Sequence, residues 1–483
     1  MVFTTLRMIL GVGLIAAILA IPSAYFVSNY QFPLRGFLRK ANILPVAIPT
    51  YIMGFTYASI FSVTGSFYAF AELFIDRETL YSWDIDVVNE LGLMFFLAFA
   101  LYPYVYSAAL VSFSIKNKSI EEAAASLGVG PWKRFWKVSF PIVLPAVLSG
   151  LALVTMEVLN DYGAMAYFNI NTITAGIFQA KQMDFTSSVF LSALFFVVIA
   201  SVFISYYLFK SYKKVASTLS SPSYDLMPME KKQGMLVSFV VFIPFFLGFI
   251  LPVIELVSLA SSRLNIIFSM DFLIISLNAV QLAFIPALII VLLSLILLYN
   301  EYINKGFFSR FISAISNIGY AIPGAIIAVA VMSFVIVLDG EEKGFYHFLI
   351  DSLILLIFAF VIRFLAVGYN TLEGGFYKIT KQLPDASRSL GVGSFKTFIR
   401  VYFPLLKSAL LTTLAIVMVD ILKELPITLL LQPFNFHTLA TVAYEKAKIT
   451  ESVRDAAPFA LLLIIVGTFA VLFLVKDFSK KNK

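Results

Sequence analysis

Not one of the 483 residues is cysteine, only His347 and His437 are histidine, and charged side chains make up 13% of the chain. The first absence excludes disulfides, thiolate metal sites and iron–sulfur clusters, and the second leaves too few ligands for a histidine metal cage. So little charge excludes an ordinary soluble domain, in which about 25% of residues are charged. No Gly-Lys dipeptide occurs anywhere, so the phosphate-cradling G-x-x-x-x-G-K-[ST] loop is absent and the chain has no ATPase site of its own. No nucleophile or His–acid constellation points to an enzyme of another kind, and no metal or other cofactor is expected in the chain.

What is present is apolar: 60% hydrophobic residues and a mean hydropathy of +0.93. Apolar runs of about twenty residues, enough to cross about 30 Å of hydrocarbon, recur along the whole length without period-two alternation, so the fold class is all-α, polytopic and membrane-embedded. Spans are expected near 4–27, 41–64, 87–113, 141–160 and 186–209, then near 235–259, 273–299, 316–338, 350–374, 404–422 and 456–475. That makes about eleven transmembrane helices, five and then six. A polar stretch rich in Lys, Ser and Pro at 210–234 separates the sets. The division reads as a first repeat at 1–209, a linker at 210–234 and a second repeat at 235–483. The first run has no convincing cleavage site and is read as a retained span.

The net charge of +7 does not indicate nucleic acid, because the basic residues cluster in alternate loops. Arg35, Arg39 and Lys40, then Lys133, Arg134 and Lys137, then Lys210, Lys213 and Lys214, Lys396 and Arg400, and the tail KDFSKKNK fall on one side, the cytoplasm. The loop at 65–88 is acidic instead, with Glu72, Asp76, Glu78, Asp84 and Asp86 against Arg77. An odd number of spans puts Met1 outside and Lys483 inside.

The chain repeats itself. EEAAASLGVGPWKRFWKVSFP at 121–141 returns 263 residues later as PDASRSLGVGSFKTFIRVYFP at 384–404, and extended to 147 and 410 the ungapped match is identical at twelve of twenty-seven positions. AIPTYIMG at 47–54 likewise resembles AIPGAIIA at 321–328, and Pro49 and Pro323 should each kink a helix. Both copies of the loop face the same side, so the halves are parallel repeats about an axis along the membrane normal. Ser119 with Glu122 forms a capping box, and Pro384 with Asp385 marks the equivalent helix start. Gly128 and Gly130, matched by Gly391 and Gly393, should end that helix in a turn free of Cβ strain, after which a basic segment leads into the span at Pro141 or Pro404.

Beyond each loop and its span, Glu157 aligns with Asp420 and Asp161 with Glu424. Carboxylates four apart lie on one helical face, and at membrane depth they face a cavity or a partner. Two readings stand: a pathway for a hard cation, or interfacial groups that cap helix ends and pair with Lys423.

These loops resemble the signature EAA, three residues, G, nine residues, I-x-L-P of permease subunits of ABC importers. Glu122, Ala123, Ala124, Gly128, Val138 and Pro141 match it well, and Asp385, Ala386, Ser387, Gly391, Val401 and Pro404 more loosely. The segments MEVLNDYG and KELPITLLLQPFNFHTLAT resemble the ferric-iron branch of fused importer permeases. The resemblance implies two copies of an ABC ATP-binding subunit on the cytoplasmic side, carrying Mg-ATP, with the second copy of the loop making the weaker contact. It also implies a substrate-binding protein outside and a bacterial inner membrane around the chain. Branches that import thiamine, polyamines, sulfate or phosphonates share the loop signature, and an ion-coupled secondary transporter is the rival from another class. Members of the iron branch carry a further span before the segment matched by Met1–Asn29, hence the first repeat is expected to lack one span.

Overall fold

A computed structural model describes residues 1–83, 85–115, 124, 126–210, 226–303, 306, 319–339, 348–349, 352–377, 379, 386–387, 389 and 391–480. In chain order the helices used below are α1 (Val2–Asn29), α2 (Thr50–Ile60), α3 (Glu90–Ile115), α4 (Phe140–Asn160), α5 (Gly163–Tyr167), α6 (Ile173–Met183) and α7 (Phe185–Lys210). The second half supplies α8 (Lys231–Phe245), α9 (Leu251–Ser261), α10 (Met270–Ile303), α11 (Gly324–Asp339), α12 (Ile354–Phe376), α13 (Phe403–Lys423), α14 (Pro426–Leu431), α15 (Leu439–Lys448) and α16 (Val453–Lys480). Among the described residues strand is confined to a two-residue parallel bridge, Tyr30–Gln31 with Met227–Pro228.

Eight helices in the described residues are long and apolar enough to cross a membrane, and a bent pair makes nine. Two shorter apolar helices, Phe185–Ala200 and Gly324–Leu338, bring the apolar segments to the eleven places where spans are expected. The expected span at 41–64 is not one helix. It breaks by 96° between Arg35–Ala47 and Thr50–Ile60. Pro49 biases the residue before it away from helical geometry, and Ile48 is extended at φ −93°, ψ 116°. The same device recurs where a single 3₁₀ turn, Gly319–Ala321, precedes Pro323 and α11. Pro49 therefore cuts its helix instead of kinking it, and Pro323 stands between a 3₁₀ turn and the start of α11.

Three π turns also recur: Phe135–Ser139, Phe246–Ile250 and Phe398–Tyr402. Each ends two residues before a proline: Pro141, Pro252 and Pro404. Proline has no N–H for the carbonyl four residues back, and its ring collides with it. Widening the turn to an i→i+5 bond, as in Phe140 N to Phe135 O, moves that carbonyl aside.

The chain forms two compact units: one comprises Met1–Ala180, Val197–Leu264 and Ala443–Lys483, the other Lys181–Phe196 and Asn265–Val442. The compact units thus do not follow chain order. In the first, α1, α3 and α4 pack together, and α16 packs on α9 and on the turn before α2. In the second, α10, α12 and α13 form the matching trio. Small residues set the approach, as expected where lipid supplies no hydrophobic drive between helices. A Cβ on Gly150 of α4 would sit 2.7 Å from Val105 Cα on α3, and one on Gly368 of α12 would collide with Ile290 of α10.

The acidic loop between α2 and α3 has a small core of its own, with Tyr68, Ala71 and Leu80 buried and Phe67 and Ile75 packed on them. Arg77 and Tyr81 each donate to the Glu72 carboxylate at 3.0 Å. Those bonds, Arg77 first, hold the Glu72 carboxyl below its ordinary value.

Candidate functional site

The two repeated loops fold alike where they are described. Glu122, Ala123 and Asp385 lie outside the described residues. From Ala124 onward the geometry is explicit: Val129 N donates to Ala124 O at 3.0 Å across Gly128 at φ +76°, and Val392 N donates to Ser387 O at 3.2 Å across Gly391 at φ +72°. This six-to-one bond around a left-handed glycine is a Schellman C-cap, and it explains the first glycine of each GVG. The second has another task. Gly130 and Gly393 are not among the positive-φ residues, and their carbonyls accept from Arg134 N and Thr397 N, both at 3.0 Å, to start the basic helices Pro131–Arg134 and Ser394–Thr397.

The copies differ at the first turn. Ser387, which stands where the first copy has Ala124, lies 2.9 Å from Thr397 in a hydroxyl pair that ties the helix before the turn to the helix after it. Ala386, beside it, is exposed.

Each basic helix runs through its π turn into a long span, α4 or α13, and an aromatic pair pins it. Tyr25 meets Phe135 edge-on at 4.9 Å in the first half, and Tyr299 meets Phe398 edge-on at 4.8 Å in the second. Behind Phe398, Leu295, Leu298, Tyr369, Leu372, Phe376, Tyr402 and Leu406 form one buried cluster. The loop is thereby bonded to α10 and α12 as well as to α13.

At the other end of α4 and α13 stand the four carboxylates. Glu157 and Asp161 do not share a continuous helical face, because α4 ends at Asn160 and Asp161 is extended at φ −71°, ψ 110°. Glu424 ends α13 the same way at φ −70°, ψ 119°. Both carboxylates are buried, 6% exposed, and both cap the short helix that follows: Asp161 Oδ1 accepts from Ala164 N at 2.8 Å, and Glu424 Oε1 accepts from Ile427 N at 3.3 Å. Glu157 and Asp420, one turn earlier, are half-buried, and Asp420 pairs with Lys423 at 3.5 Å. No group of three or more His, Asp or Glu side chains that could hold a metal ion occurs among the described residues.

Sequence comparison of the halves draws no attention to Arg363 or Glu255, which the structure buries within helices, 3% and 6% exposed. Arg363 Nε lies 3.5 Å from Glu424 Oε2, and Ser59 donates to Glu255 at 3.3 Å. The available signal was simple: an ionisable residue inside an apolar run is costly and marks a function or a partner.

Two sets of spans, each carrying a helix–turn–helix at one end and a capped acidic corner at the other, define a membrane transport permease. Residues 9–214 and 302–481 match the family model "Binding-protein-dependent transport system inner membrane component", and the chain belongs to that family. The family is a membrane component, not an ATPase. The chain is 25% identical over 471 residues to the Fe(3+)-transport system permease protein FbpB 2 of Haemophilus influenzae, covering 95% of this chain and 86% of the relative. It is 33% identical over 144 residues to the sulfate transport system permease protein CysT of Escherichia coli, covering 30% of this chain and 49% of the relative. To the probable sulfate permease of Marchantia polymorpha it is 28% identical over 205 residues, 41% of this chain and 67% of the relative.

Proposed function

We propose that the chain forms the translocation pathway of an ATP-driven importer of ferric iron. Two copies of an ABC ATP-binding subunit, hydrolysing Mg-ATP, dock on its two repeated loops in the cytoplasm of a bacterium, and a binding protein outside delivers the ion. The observation that carries the coupling role is the pair of Schellman-capped loops, 263 residues apart in sequence and bonded alike, each continuous with a span. Such an element transmits a displacement because neither its turn nor its attachment can yield independently. Glu122, Ala123, Ala124 and Gly128 form the first contact, and Asp385, Ala386, Ser387 and Gly391 the second. Iron is favoured over sulfate because the similarity to the Fe(3+) permease runs along 95% of the chain, whereas the sulfate permeases match 30% and 41%. In each unit we assign the half-buried carboxylate, Glu157 or Asp420, to the pathway, with Asp161 and Glu424 bracing the corner behind it.

Reversing Glu122 to Lys lowers import and loosens the ATPase subunit without affecting membrane insertion. Full ATPase binding after both loops are disrupted would remove the coupling role. ATP hydrolysis by the reconstituted complex rises with an iron-loaded binding protein; stimulation by a sulfate-loaded one instead would reassign the substrate.

A further inference from the structure

We infer that Arg363 is a positioning residue that carries the movement of the second coupling loop across its unit, a role that rests on the importer reading above. Three pieces of chain meet at its guanidinium. The first is the 3₁₀ turn and proline just before α11. Ile326 N and Ile327 N both donate to Pro323 O, and the Ile322 carbonyl just ahead of the proline accepts from Arg363 Nη1 at 2.9 Å. The second is α12, which carries Arg363 with Phe364 and, from that turn, Tyr320 within 5.5 and 6.0 Å of the guanidinium carbon. The third is the end of α13, where Glu424 Oε2 lies 3.5 Å from Arg363 Nε while its other oxygen caps α14.

The meeting point leaves no room for a side chain at Gly324. A Cβ there would stand 2.6 Å from Glu424 Oε1 and 3.3 Å from Arg363 Nη1. Both charged side chains are almost fully buried, 4% and 5% exposed. A buried ion pair adds little net stability over apolar groups of similar volume, so stability alone does not account for it. What it supplies is a fixed arrangement. α13 runs unbroken from the π turn at Phe398–Tyr402 to Lys423, so displacement of the loop arrives at Glu424, and Arg363 passes it to α12 and to the turn that leads into α11. The position 263 residues before Arg363 is Ala100, so the corner at Asp161 has no arginine from the matching place.

The test compares wild type with R363M, R363K, the double variant R363M/E424Q and the charge exchange R363E/E424R. Each is reconstituted with ATPase subunits and the iron-loaded binding protein, and ATP hydrolysed per ion imported is the readout. The double variant keeps an acceptor for Ile427 N and removes both charges, so it tests transmission without leaving a buried charge unpaired. R363K keeps the charge but cannot reach Ile322 O and Glu424 together. We expect the ATP-to-ion ratio to rise at least tenfold in R363M, R363M/E424Q and R363K, and to stay raised in the exchange, which keeps the two charges but leaves no N–H for Ile322 O and no acceptor for Ile427 N. Wild-type coupling in either R363M/E424Q or R363K overturns the role. Absence of ATP-dependent import by the wild-type complex would instead remove the importer reading itself.

Discussion

A single residue can decide the shape of a loop without touching anything. Gly128 and Gly391 have no heavy atom within 4 Å of where a Cβ would be, yet their φ values of +76° and +72° lie where L-residues are strained. Alanine at either costs about 1 kcal/mol through the backbone alone. Gly130 and Gly393 are as open but not left-handed, so alanine there is nearly neutral. Hydrogen exchange at the Val129 and Val392 amides should therefore speed up about fivefold in G128A and G391A and stay near wild type in G130A and G393A. At Glu72 the question is pH. Its carboxyl is held below the ordinary 4.5 by Arg77 and Tyr81, so the bonded form stabilises the loop above that value. That contribution is lost as pH falls through the depressed value. Amide protection over 75–81 should persist on acidification from neutral to about 4.5 and drop below it, and E72Q should abolish that drop.

Elements show why a proline signals more than a kink. The pattern of a π turn ending two residues before proline is readable in the sequence once known, but Pro103 and Pro286 sit inside α-helices without one, so the neighbours decide. At the repeated loops the widened turn adds one residue between the basic helix and its span, which turns one against the other by about 100°. Pro141→Ala and Pro404→Ala restore the i→i+4 ladder and rotate the loop on its span. Import in reconstituted vesicles should fall more than tenfold, with the chain still inserted; unchanged import would show that the loop's facing is immaterial. The Ser387–Thr397 bond belongs to this scale too. The weaker signature of the second loop comes with a hydroxyl staple that Ala124 cannot make. Ser387→Ala should loosen exchange at Val392 without affecting Val129.

In the whole molecule the units are assembled from both halves of the sequence. The first unit needs residues 197–264 and 443–483, and Gly467 of α16 lets the helix pass so close to Ala47 that a Cβ would lie 2.9 Å from its carbonyl. A chain split between residues 211 and 225 should yield fragments that are proteolysed when expressed singly and stable when co-expressed. Two separately stable halves would contradict this division. Sidedness can be read directly, because a chain without cysteine accepts single reporters. An impermeant thiol reagent on intact cells should label a cysteine at Glu78 and leave one at Lys133 unlabelled until the membrane is opened.

The membrane-embedded helical class, the duplication and the two repeated loops are all legible in the sequence alone. Hydrophobic run length, turn glycines and a 263-residue self-match are local or translational signals that need no third dimension. The sequence did not determine that the span at 41–64 is cut at Pro49, that Asp161 and Glu424 leave their helices to cap the next, or that Arg363 meets Glu424. Those depend on which N–H or carbonyl is left unbonded where a helix starts or stops and which side chain the fold brings near enough to satisfy it. Nor could chain order show which segments complete each compact unit. Burial decides that: an apolar helix packs against whichever face has room for it, and that face exists only once the chain has folded.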